Sequence, residues 1–153
     1  KAPARASPWL YRALELNQNS HLTYGLLGDV LFQRAAISQN GRDRAAFFRS
    51  AATNYEQAVR LGSPDVNYRY AVALARTYVG LTNLSQAIAA YRTALGVSPP
   101  AERWKNEEII GRLFNDLKEK TNAVVHLQRA IDFAPPDKKA GLVKFRDEVL
   151  SRP

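Results

Sequence analysis

The chain has 153 residues, 22 Lys and Arg against 14 Asp and Glu, a formal net charge of +8, and neither cysteine nor methionine. The length allows one domain with a real core or a short repeat array. The missing cysteines exclude a disulfide framework, a thiolate metal site and a cysteine nucleophile, and the 46% apolar content excludes a disordered chain.

The N-terminal stretch opens Lys-Ala-Pro-Ala-Arg without methionine, which suggests a piece of a longer parent. Ser7 and Pro8 predict an N-cap and a first-turn proline for a helix through Trp9–Asn17. The next helix carries Tyr24-x-x-Leu27-Gly28-x-x-Leu31. Gln39-Asn40-Gly41-Arg42-Asp43 then predicts a turn, with Asp43 capping the helix that follows. That helix presents Ala51, Tyr55 and Ala58, a small–large–small set on one face.

The same set returns 36 residues later as Ala87, Tyr91 and Ala94, and again as Ala123, Leu127 and Ala130. Each is preceded by a helix with the other pattern: Ala71-x-x-Leu74-Ala75-x-x-Tyr78, then Glu107-x-x-Ile110-Gly111-x-x-Phe114. Pro99 and Pro135 close two copies at the same offset. In the first copy Ala51 follows Gly28 by 23 positions, where in the others the second small residue follows the first by 12. The 11 extra residues amount to about three helical turns, and both helices of that hairpin are expected to be longer. Pro135-Pro136-Asp137 starts a last helix through about Leu150, with one apolar and one charged face, as a terminal cap requires.

The three paired patterns resemble the tetratricopeptide repeat, in which a large–small pair on a first helix A lets helix B approach closely. The resemblance covers residues 20–136 and implies an all-α solenoid of helical hairpins, about eight helices wound into a right-handed superhelix. It departs from the family where Ala71 and Glu107 replace the aromatic that opens helix A. It divides the chain into a partial repeat at 1–19, repeats at 20–65, 66–102 and 103–136, and a capping helix at 137–153, all one domain.

The family's inner groove implies a binding face. On the first helix A it would comprise Leu22, Gly25, Leu26, Asp29, Phe32 and Gln33. On the second it would comprise Arg69, Val72, Ala73, Arg76, Val79 and Gly80, and on the third Lys105, Glu108, Ile109, Arg112, Asn115 and Asp116. An apolar end and an arginine-rich end would suit an extended partner with an apolar and an acidic stretch, unless the arginines pair with Asp29, Glu108 and Asp116. Gly25 and Asp29 stand where a carboxylate clamp needs Lys and Asn, which argues against chaperone tails.

Other chemistry is missing from the sequence. His21 and His126 lie far apart and without a ligand set, with His126 expected on an outer helix. Trp9 and Trp104 read as packing residues. No nucleophile elbow, phosphate loop or zinc motif occurs, so neither catalysis nor a cofactor is expected. The basic residues are dispersed, which argues against nucleic acid, and no apolar run spans a bilayer, so a membrane would be reached only through a larger parent. The resulting expectation is an interaction scaffold for a protein or peptide. An accessory domain of a larger membrane-bound or glycan-modifying enzyme, and a self-associating module, are the alternatives.

Overall fold

The computed structural model describes residues 3–151, excluding the side chains of residues 3–7 and of 64 and 65. Among the described residues the chain is entirely helix and short connections: α1 Pro3–Leu16, α2 His21–Ile37, α3 Gly41–Leu61, α4 Pro64–Gly80, α5 Leu84–Gly96, α6 Pro100–Asp116, α7 Lys120–Phe133 and α8 Pro136–Ser151. Two compact units, Lys1–Ala90 and Tyr91–Pro153, divide within α5.

In the first unit α2 packs against α1, α3 and α4, and α3 against α4. Its core gathers Leu31, Ala51, Tyr55, Ala58 and Tyr70. The small residues of the sequence pattern do what their size dictates. A Cβ on Gly28 would lie 2.6 Å from the Tyr55 ring, and one on Gly25 only 2.2 Å from the Tyr70 ring. Gly25 is therefore a buried contact point and not a groove residue. In the second unit α6 packs on α7 and α7 on α8. There Gly111 plays the same part, its missing Cβ leaving room for Leu127, which would otherwise stand 2.8 Å away.

The long hairpin distributes its extra residues unevenly. Nine residues of α2 follow Gly28, against five in α4 after Ala75 and five in α6 after Gly111. Ten residues of α3 precede Ala51, against three in α5 before Ala87 and three in α7 before Ala123. Beyond the junction of small residues, then, α2 gains about one turn and α3 about two. Yet α2, α4 and α6 are all 17 residues long. The gain in α2 is cancelled by a later start, so of the two helices only α3 is longer overall.

The expected caps shift by a few residues. Asn40, not Asp43, caps α3: its Oδ1 accepts from the backbone N–H of Arg42 at 2.8 Å and of Asp43 at 3.3 Å. Asp43 instead supplies first-turn negative charge beside the positive end of the helix dipole. Asn40-Gly41 is thus a helix start, and the connection is only residues 38–40. Ser20 caps α2 by accepting from Thr23 N–H at 3.2 Å. At the N-terminus α1 begins at Pro3, so Pro8 sits inside the helix and not in its first turn. The Ser7 side chain lies outside the described residues.

The close approach at Gly28 has a testable sign. Alanine at an exposed helical glycine gains roughly 0.5–1 kcal/mol, and Gly141 in α8 has open space around it. At Gly28 the added methyl must displace the buried Tyr55 ring, a cost of roughly 1–3 kcal/mol. Urea unfolding is expected to show Gly141→Ala more stable than the parent and Gly28→Ala less stable. Stabilisation by both would contradict the packing.

Candidate partner-binding faces

In the first unit the middle of α2, the second half of α3 and residues 68–76 of α4 enclose an open concavity of about 390 Å³. Phe32, Val72 and Ala73 form apolar wall, and Asp29, Gln33, Tyr55, Tyr68, Arg69 and Arg76 supply polar groups. Helical spacing explains the convergence: Asp29, Phe32 and Gln33 recur at i, i+3 and i+4 on α2, as do Arg69, Val72, Ala73 and Arg76 on α4.

The floor of the concavity is a connected polar set. The Tyr55 hydroxyl, rooted in the core, donates to Asp29 Oδ1 at 2.7 Å. Arg69 donates to Asp29 Oδ2 at 2.6 Å. Burial first, and the hydrogen bond to Asp29 second, push the Tyr55 phenol far above its ordinary pKa. Arg76 lies over the Phe32 ring at 5.5 Å, which in turn meets Phe48 edge-on at 5.4 Å. No carboxylate among the described residues pairs with Arg76. Leu22 and Leu26 are exposed on the N-terminal half of α2 and do not line the concavity.

The second unit carries the remaining positions on α6. Lys105 pairs with Glu102 at 2.9 Å. Arg112 pairs with Glu108 at 2.8 Å and covers the Phe145 ring of α8 at 4.2 Å. Asn115 is half-buried. Glu108 and Arg112 line a smaller cleft of about 240 Å³ with Trp104, Lys138, Gly141 and Leu142. Three of the four expected groove cations, Arg69, Lys105 and Arg112, therefore have acids beside them. Such exposed pairs are worth only about 0–1 kcal/mol, little enough for a ligand to exchange.

One expectation fails outright, and His126, on α7, turns out to be buried. Trp9 is 78% exposed and is not a packing residue; Trp104 does pack, against the α7–α8 core. His126 is buried: its Nδ1 lies 2.7 Å from Glu107 Oε2 and its ring stacks on Phe114 at 5.4 Å. Glu107 occupies the position where helix A normally opens with an aromatic, a core position where a carboxylate needs a buried partner. That demand was the signal available in the sequence. Among the described residues no cluster of His, Asp and Glu could hold a metal.

Residues 68–100 match the tetratricopeptide repeat family. That segment carries a tetratricopeptide repeat. Among solved structures the chain is similar to a thermophilic tetratricopeptide-repeat protein of Thermus thermophilus. The TM-score is 0.65 at 15% identity, covering 92% of this chain and 69% of that one. At that identity the likeness carries the fold, which is all-helical and of tetratricopeptide type. No curated protein matches the chain.

The tyrosines make alkaline stability a probe of these contacts. Burial, then a hydrogen bond to Glu56, pushes the Tyr78 phenol up to about 12. Its unfolded value is near 10. The folded form thus holds the proton longer, and the contribution is fully present below about pH 10 and lost as pH rises through about 12. Stability measured by denaturant is expected to fall less over this window in Tyr78→Phe than in the parent chain. Equal falls would place the titration elsewhere.

Proposed function

We propose that the chain is a non-catalytic scaffold that holds an extended segment of a partner protein on its helix A faces. The first unit would contribute Leu22, Leu26, Asp29, Phe32, Gln33, Arg69 and Arg76, and the second Lys105, Glu108, Arg112 and Asn115. Tetratricopeptide repeats generally serve protein–protein interaction, and this chain carries one. The observation that carries the reading is the concavity on α2, α3 and α4, whose apolar walls and arginines converge on one opening. Apolar walls give affinity by removing surface from water, and planar guanidinium groups give direction to carboxylates. An acidic segment in the partner would also be drawn by the +8 charge.

Self-association is a second reading, favoured by one observation. On α1, Trp9 and Leu16 are 78% and 80% exposed, and their spacing of seven residues puts them on one helix face that a second copy could cover. Concentration-dependent mass by light scattering separates it from the first.

A displayed random-peptide library panned on the intact chain tests the scaffold reading. Enriched peptides are expected to combine Asp or Glu with apolar residues. They should lose about tenfold or more in affinity for the Phe32→Ala and Arg76→Ala double variant. Peptides that bind parent and variant alike would contradict it.

A further inference from the structure

The concavity of the first unit also constrains the charge of what enters it. Two guanidinium groups and one carboxylate line it, those of Arg69, Arg76 and Asp29. Asp29 is taken on both oxygens, by the Tyr55 hydroxyl and by Arg69. A cationic ligand would have to displace one of these. Arg69 is balanced by the same carboxylate, and the Tyr55 phenol is held in its neutral form. Arg76 is what remains: a cation without a carboxylate partner among the described residues, steadied over the Phe32 ring at 5.5 Å. The concavity as a whole therefore presents one net positive charge against Phe32, Val72 and Ala73.

We infer that this concavity is a receptor for a single carboxylate carried on an apolar body. The carboxylate would sit on the Arg76 fork, where two parallel N–H donors match its two oxygens. The Gln33 amide on the same lining adds a neutral donor. The apolar body would lie on Phe32, Val72 and Ala73. A phosphate group, carrying a charge of roughly −1.5 to −2, would be left partly uncompensated. A run of acids would meet Asp29. The volume of about 390 Å³ falls at the low end of the ~300–1,000 Å³ range of ligand pockets. A C-terminal apolar residue with its free carboxylate, an internal acid next to an apolar residue, and a small arylalkanoate share this chemistry. The inference rests on the docking reading above and narrows it to one charge.

Calorimetric titration of the intact chain tests it with four probes: 3-phenylpropionate, the peptide acetyl-Ala-Ala-Ala-Phe with a free carboxylate, its C-terminal amide, and amidated acetyl-Ala-Ala-Glu-Phe-Ala. At least one carboxylate probe is expected to bind, about tenfold or more tighter than the amide. Arg76→Gln should remove that preference while leaving thermal unfolding unchanged, and Arg76→Lys should recover only part of it. Which carboxylate probe wins identifies the source. If acid and amide bind alike and Phe32→Ala weakens both, the docking reading stands and the carboxylate inference falls. If no probe binds, or the preference survives Arg76→Gln, the inference falls as well. The panned peptides judge the docking reading independently in either case.

Discussion

Everything in each unit depends on how closely helix A can approach helix B. Gly28 meets the Tyr55 ring and Gly111 meets Leu127 at separations that leave no room for a methyl group. Close approach brings dispersion contacts that a few tenths of an ångström would forfeit. It also fixes where the exposed faces of α2 and α4 stand. A glycine in mid-helix costs about 1 kcal/mol in propensity, so its presence at these points is explained by packing and not by local preference.

The same contact connects the core to the surface. Tyr55 is one of the largest buried side chains, yet its hydroxyl emerges at the floor of the concavity to hold Asp29. Asp29 in turn holds Arg69. Side chains with long flexible stems are thereby preset, which lowers the ordering cost of binding. Arg76 differs in kind: an aromatic face and not a carboxylate steadies it, so its charge remains available.

Much of the fold was legible in the sequence, because spacing and residue size are local facts. The 36-residue recurrence of Ala, a large residue and Ala predicted α3, α5 and α7, and the large–small pairs predicted α2, α4 and α6. The insertion was legible in size but not in distribution. The number of inserted residues does not say that α2 begins four residues later relative to its small residue. The Asn40 cap was misplaced because Asn-Gly signals both a turn and a helix start, and only backbone geometry decides between them. Of the positions that the resemblance to the repeat family implied, Asp29, Phe32 and Gln33 on α2 and Arg69, Val72, Ala73 and Arg76 on α4 share the concavity. The resemblance could not reveal that Tyr55 reaches them from α3, since a tyrosine in a core pattern reads as packing alone. The ion pairs of Arg69 and Arg112 and the burial of His126 likewise depend on which neighbours three-dimensional packing supplies.

The most direct test of the account is a map of where a bound segment lies. Backbone and methyl chemical shifts of the chain, followed by NMR during titration with a library-selected peptide, locate it residue by residue. The account predicts the largest shifts at Phe32, Val72, Ala73 and Arg76, with smaller ones at Asp29 and Gln33. Shifts confined to the separate cleft bounded by Ala52, Glu56, Tyr78 and Gln86, with the α2–α4 concavity silent, would contradict it.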